Sequence, residues 1–121
     1  MILGLRTCVY MVADLPAAIE WYNKAFKTTP YFNEPYYVGY NIQGYELGLQ
    51  TVQKETLSPR NIFTYWGVDN IQEEFERFVA LGATVDEAPN NVGDNIEVCS
   101  IIDPWNNIIG LIYNPNFKLP S

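Results

Sequence analysis

Val12-Ala13-Asp14-Leu15, and its echo Val68-Asp69-Asn70-Ile71 fifty-six residues on, decide the fold of this chain. In the first copy a strand runs straight into a helix. Asp14 stands where an N-cap belongs, able to accept from the orphan N–H groups of the first turn. Leu15, Ala18, Ile19, Tyr22 and Phe26 then form one apolar stripe at helical spacing. In the second copy Asn70 is the cap and Glu73 follows three residues later, a capping-box spacing. Ile71, Phe75 and Phe78 repeat the spacing of Leu15, Ile19 and Tyr22. A strand–helix unit used twice is the plan of the molecule.

Working outward, the first strand is expected over Leu3 to Val12 and the first helix over Leu15 to Phe26, stopped before Pro30. Pro30 to Pro35 reads as a connector or a short strand interrupted by proline. Tyr36 to Ile42 and Tyr45 to Val52 are β-branched and aromatic, with Gln43-Gly44 as the turn between them. Lys54 to Arg60 is a polar linker. The second half offers a strand over Asn61 to Val68, a helix over Ile71 to Leu81 with Gly82 at C′, and a short strand over Ala83 to Ala88. Pro89 to Asn95 reads as a loop or turn. Strands over Ile96 to Ile102 and Ile108 to Tyr113 flank a tight turn at Asp103–Asn107, and Asn114 to Ser121 forms a tail. Each half is β-α-β-β-β, so the class is α+β. One domain of 121 residues is expected, with module 1 at about 1–55 and module 2 at about 60–114.

Composition narrows the partners. The formal charge is −7, and it lies in one half. Up to Val68 five acids meet five bases, whereas from Asp69 onward nine acids meet two. Phosphates need Lys and Arg, so nucleic acid and anionic membrane are excluded as expected partners, while a cationic ligand is compatible. No signal peptide and no run long enough to span a bilayer is readable, which predicts a cytoplasmic protein. Cys8 and Cys99 fall inside expected strands as reduced core thiols. The chain has no histidine, so a Cys–His nucleophile cannot be assembled.

The repeated βαβββ order resembles that of the vicinal oxygen chelate superfamily, the group of glyoxalase I, bleomycin-resistance proteins and extradiol dioxygenases. Val12-x-Asp14-Leu15 with Trp21-Tyr22 resembles the family's V-x-D-hydrophobic…F-Y signature. Asp103-Pro104-x-Asn106-Asn107 leading into Ile109-Gly110-Leu111-Ile112 resembles its D-P-x-G-N…E-L signature. The resemblance implies two βαβββ modules forming an open, cup-shaped mixed sheet with helices outside, completed in a homodimer. It also implies four metal positions on strands, mostly His and Glu in family enzymes. Carried over singly, they fall on Thr7, Gln50, Phe63 and Gly110. None is a good ligand for a divalent transition metal, so no metal and no cofactor are expected.

Strand alternation then puts Thr7, Val9 and Met11 on the cup face, with Cys8 and Tyr10 beneath the helix. Phe63, Tyr65 and Gly67 share that face, as do Glu46, Gly48 and Gln50, and Ile108, Gly110 and Ile112. Tyr31, Phe32, Tyr36, Tyr37, Tyr40 and Tyr45 crowd one window, a stacking wall for a planar or cationic ligand or ordinary strand aromatics. The candidate ligand-binding set is Thr7, Val9, Met11, Tyr37, Glu46, Gln50, Phe63, Tyr65, Gly110 and Ile112, with no catalytic residue assigned. The same residues would equally pack a filled core or a dimer face. Glu46 is the acid placed in the cup, with Glu97 a second candidate. The expected function is metal-free small-molecule binding of the bleomycin-resistance type, sequestering a bulky cationic or aromatic compound such as an antibiotic. The alternatives are a metal-independent lyase or isomerase using Glu46 or a tyrosine as acid/base, and a ligand-less structural or regulatory module.

Overall fold

The structure is a computed structural model, and it describes residues 1, 5, 7–51 and 64–116. The chain divides into two compact units, Met1–Thr56 and Leu57–Ser121. The first contains β1 (Thr7–Val12), α1 (Leu15–Ala25), β2 (Phe32–Glu34), β3 (Tyr37–Ile42) and β4 (Tyr45–Thr51). Its strands lie in the order β1-β4-β3-β2, with β1 parallel to β4 and the other pairs antiparallel. The second contains β5 (Tyr65–Gly67), α2 (Ile71–Ala80), β6 (Thr84–Gly93), β7 (Ile96–Ile102) and β8 (Ile108–Tyr113). Its order, β5-β8-β7-β6, is the same arrangement with the same parallel and antiparallel pairs. The repeat seen in sequence is a repeat of topology.

Both helices start where the caps place them. Asp14 accepts from the Ala17 N–H at 3.1 Å and Asn70 from the Glu73 N–H at 3.1 Å. Each cap contributes about 1 kcal/mol. α1 buries Leu15, Ala18, Tyr22 and Ala25 against the side of its sheet that carries Tyr10, Val12, Val38, Tyr40, Leu47 and Leu49. The Tyr22 ring lies 6.1 Å from that of Tyr10 and 5.6 Å from that of Phe26. The Tyr40 hydroxyl, inside this layer, sits 2.8 Å from the Asn23 side chain and 3.3 Å from the Ile19 carbonyl. α2 buries Ile71 and Phe78, and the matching sheet supplies Cys99, Ile101, Ile109 and Leu111. Leu81 caps the helix and Gly82 follows at φ 101°, the left-handed residue that the stop signal called for.

One element differs from its sequence expectation. Pro89 to Asn95, read as a loop, belongs mostly to a ten-residue strand that runs to Gly93. Three register shifts along the β6–β7 ladder absorb the extra residues, and Pro89 lies between paired positions, where no ladder N–H is required. The turn itself is only Asp94-Asn95, with φ 54° and 63°. That is the two-residue hairpin geometry with both central residues left-handed, also used at Gln43-Gly44. Phe32–Glu34, inside the proline-flanked connector, is a short edge strand. The expected strand over Asn61–Val68 is described only from residue 64, so Phe63 lies outside the described residues, as do the 54–60 linker and the tail beyond 116. No helix among the described residues is long and apolar enough to cross a membrane.

Candidate functional site

The face of the first sheet away from α1 follows from its register. Thr7 pairs with Glu46, Val9 with Gly48 and Met11 with Gln50 across the parallel pair. Gln50 then faces Tyr37, Gly48 faces Gly39, and Gly39 faces Phe32. Thr7, Val9, Met11, Phe32 and Gln50 are exposed on this face, while Tyr37 and Glu46 are half-buried.

Two glycines side by side make a trough, and two tyrosine rings occupy it. A Cβ on Gly48 would lie 2.7 Å from Cζ of Tyr37, and one on Gly39 would lie 3.2 Å from Cε1 of Tyr31. Real Cβ atoms do not approach so closely at Gly48, so glycine is what lets the Tyr37 ring lie flat on the sheet. Lying flat, both rings aim their hydroxyls at one carboxylate. Tyr37 donates to Oε1 of Glu46 at 3.1 Å, Thr7 donates to the same oxygen at 3.1 Å, and Tyr31 donates to Oε2. Among the described residues the side-chain partners of Glu46 are three hydroxyls, with no cation.

The electrostatics follow from those bonds. The Tyr31 hydroxyl, aided by Thr7 and Tyr37 and opposed by partial burial, holds the Glu46 carboxyl below its ordinary range. Glu46 is therefore ionised at neutral pH. Hydrogen bonding to Glu46 raises the Tyr31 phenol, and burial followed by the bond to Glu46 pushes Tyr37 up to about 12. The array is a carboxylate held ionised among phenols held neutral, and proton transfer between them is opposed from both ends. An open recess of about 340 Å³ adjoins it, lined by Tyr36, Tyr37, Gln50 and Thr51.

These shifts make alkaline stability a test of the packing. Burial also lifts Tyr40 to about 12, and burial with the Glu87 charge lifts Cys99 to about 11. All are raised in the folded state, so their contribution is full below the unfolded values and is lost as pH climbs through the folded ones. Unfolding free energy should fall from about pH 9 to 12, and Tyr37→Phe and Tyr40→Phe should each flatten that fall above pH 10. Urea titrations at stepped pH measure it; slopes identical to that of the unsubstituted chain would contradict the assigned burial.

In the second unit Tyr65 pairs with Gly110, and Gly110 with Ser100. A Cβ on Gly110 would lie 2.6 Å from the Thr64 carbonyl oxygen and 2.8 Å from the Tyr65 ring, so a tyrosine again lies over a glycine. Ile112 is half-buried beside Gly67 on the same face, and Glu97 is on β7 opposite Tyr113. Ser100, buried, donates to Asp86 at 2.8 Å.

The four metal positions that the resemblance implies can be set on the observed register. Val9 and Tyr65 are counterparts under the repeat, Val9 pairs with Gly48, and Tyr65 pairs with Gly110. The first-unit counterpart of Gly110 is therefore Gly48 and not Gln50. Both lie on one face two residues apart, so alternation in the sequence could not separate them. With that counterpart, the implied positions hold Thr7, whose hydroxyl is given to Glu46, two glycines covered by tyrosine rings, and Phe63, which lies outside the described residues. Such donors do not fit a divalent metal of the His/carboxylate type. Among the described residues no group of three or more His, Cys, Asp or Glu is placed to hold one.

Thr7 and Glu46, reachable from alternation, and Tyr37, from the tyrosine-rich window, come together as one array, and Val9, Met11 and Gln50 share their face. Tyr31 stands in the aromatic window read from the sequence but outside the candidate ligand-binding set, and the structure brings it onto Glu46. The signal for it was Gly39, since a glycine inside a strand marks a close approach of something else.

Neither a scan against protein-family models nor a search of curated proteins gives a match. Solved structures do. A glyoxalase-related enzyme from Fulvimarina pelagi superposes with a TM-score of 0.82 at 20% identity, covering 99% of this chain and 94% of its own. The fosfomycin resistance protein FosX from Listeria monocytogenes gives 0.80 at 18% identity, with 96% and 97% covered. A glyoxalase/bleomycin resistance protein/dioxygenase family enzyme from Burkholderia phytofirmans gives 0.76 at 17%, with 91% and 98% covered. The fold of this chain is thus the one shared by these glyoxalase-related, fosfomycin-resistance and glyoxalase/bleomycin-resistance structures. At these identities the likeness establishes the fold and leaves the activity to the site itself.

Proposed function

We propose that the chain is a small-molecule-binding protein of the glyoxalase/bleomycin-resistance type that holds an organic cation on the Glu46 face of its first unit, without metal-based catalysis. One observation carries this reading: an ionised carboxylate bonded to three hydroxyls and, among the described residues, to no cation, on a face with exposed aromatic rings. Glu46 supplies the charge, and the faces of Phe32, Tyr31 and Tyr36 supply cation–π attraction, about 0.5–1 kcal/mol each at exposed sites. Val9, Met11 and Gln50 extend the contact surface. On the second unit, described by itself, Tyr65, Gly110 and Ile112 are proposed as ligand contacts of that unit's own corresponding face, and the working form is proposed to be a homodimer.

The acid–base alternative is weaker on the same geometry. A carboxyl held low is a poor base, and phenols held high are poor acids. A neighbouring structure, a mutant of the Listeria FosX, was solved with Mn(II) and 1S,2S-dihydroxypropylphosphonic acid. A phosphonate would meet the Glu46 charge here with no cation among its partners, which favours the opposite ligand sign.

A thermal-melt plate against bulky cationic antibiotics including bleomycin, fosfomycin with Mn(II), and divalent metals alone tests the reading. A ligand at about 100 times its dissociation constant adds roughly 2.7 kcal/mol, several degrees for a domain of this size. A cationic antibiotic should raise the melt, and Glu46→Gln should weaken that ligand at least about tenfold, the scale of one charge-assisted bond. Stabilisation by fosfomycin with Mn(II), or by a metal alone, would overturn it. Light scattering of the purified chain checks the homodimer.

A further inference from the structure

Glu46 has one partner that differs in kind from the other two. Thr7 belongs to β1 and half-buried Tyr37 to β3, so both are fixed by the sheet. Both give their hydrogen bonds to Oε1. Among the described residues Oε2 receives Tyr31 alone. Tyr31 precedes β2 and is 65% exposed. Its backbone N–H is held by the Gly39 carbonyl at 3.0 Å, so the ring can swing out about its side-chain torsions while the chain stays where it is.

We propose that Tyr31 is a displaceable cap on Glu46, and that the ligand displacing it is an organic cation carrying N–H donors, such as a primary ammonium, a guanidinium or an amidinium. This rests on the Glu46 face being the ligand site. A hydrogen bond from a cationic N–H to a carboxylate is shorter and roughly twice as strong as one from a neutral donor, so the exchange at Oε2 runs toward the ligand. A planar amidinium matches the carboxylate edge and stacks on the aromatic rings beside it. A quaternary ammonium has no N–H with which to replace the phenol, and an anion is repelled.

The cap makes a prediction that a plain contact residue does not. Removing the Tyr31 hydroxyl frees Oε2 in the unliganded protein, so the cation no longer competes for it, and binding should tighten. Calorimetry of the whole chain with benzamidinium, phenyltrimethylammonium and benzoate reads this out. Tyr31→Phe should bind benzamidinium about fivefold more tightly than the unsubstituted chain, the scale of one released hydrogen bond. Gly39→Ala provides a second route, because its Cβ would stand 2.8 Å from Oε2 of Glu46 and 3.2 Å from the Tyr31 ring, prising the pair apart with the hydroxyl retained. It should tighten binding likewise. Benzoate should not bind, and phenyltrimethylammonium should bind more weakly and indifferently to Tyr31→Phe.

Weaker benzamidinium binding by Tyr31→Phe would overturn the cap and make Tyr31 a direct contact, leaving the cation site intact. Equal binding of phenyltrimethylammonium would overturn the donor requirement. A melt raised by a cationic antibiotic while benzamidinium binds none of the three proteins would overturn this inference alone. A chain that responds to no cation at all would overturn the site reading with it.

Discussion

Asp103→Ala should lower the unfolding free energy by about 3 kcal/mol, a large effect for a residue outside the apolar core. Asp103 is only 4% exposed, yet it is an acid. Its Oδ1 accepts from the backbone N–H groups of Trp105 at 2.9 Å and Asn107 at 2.7 Å, and its Oδ2 accepts from the Asn107 amide at 3.0 Å. Around it the backbone closes twice more, Asp103 N–H to Asn107 at 2.9 Å and Asn106 N–H to Asp103 at 3.1 Å. Alanine removes the acceptor of two backbone donors and one side-chain donor in a place where water has little access, at about 1–3 kcal/mol for each group left unsatisfied. The turn also sets the β7–β8 register, which begins at Ile102 opposite Ile108 and brings Ser100 opposite Gly110. Urea unfolding with an unchanged m-value measures the loss, and a loss under about 1 kcal/mol would show that the turn is held by its flanking strands instead. Asn106→Gly should be nearly neutral, because Asn106 already sits at φ 73°, the left-handed conformation glycine adopts freely.

That turn shows what the sequence could and could not convey. Asp103, Pro104 and Asn107 were readable as turn chemistry, since each acts on its own neighbourhood. The caps Asp14 and Asn70, the C′ Gly82 and the Gln43-Gly44 hairpin were readable for the same reason. What escaped depended on partners distant in sequence. Pro89 reads as a breaker until the bulged ladder to β7 gives it a position with no donor to lose. Gln50 and Gly48 are interchangeable until β1 sets the register of β4. The convergence of Tyr31, Tyr37 and Thr7 on Glu46 spans 39 residues of sequence and needs two glycines to let the rings lie down. Periodicity assigns a face; it does not say which side chains reach across that face to one another.

Gly110→Glu, which would place a carboxylate at the position that the sequence resemblance implies for a metal ligand, should cost about 3 kcal/mol and bring no stoichiometric metal. The obstacle is backbone. The new Cβ would stand 2.6 Å from the Thr64 carbonyl oxygen, whose hydrogen bond from the Gly110 N–H at 3.0 Å ties β5 to β8, and 2.8 Å from the Tyr65 ring. A flexible side chain could give way, but a carbonyl in a parallel ladder moves only with its strand. Even with that strain accepted, a lone carboxylate lacks partners: its first-unit counterpart Gly48 lies beneath Tyr37, and Thr7 is committed to Glu46. Denaturant titration and elemental analysis after dialysis against Mn(II), Ni(II) and Zn(II) test both halves of the expectation. One metal per chain retained by a stable Gly110→Glu protein would mean that the tyrosines yield easily and that the face remains a metal site lacking one ligand. Destabilisation without metal would mean that the tyrosine-over-glycine packing leaves no room for a ligand-bearing side chain at Gly110, in line with the proposal that the charge of Glu46, and not a metal, serves recognition on the first unit.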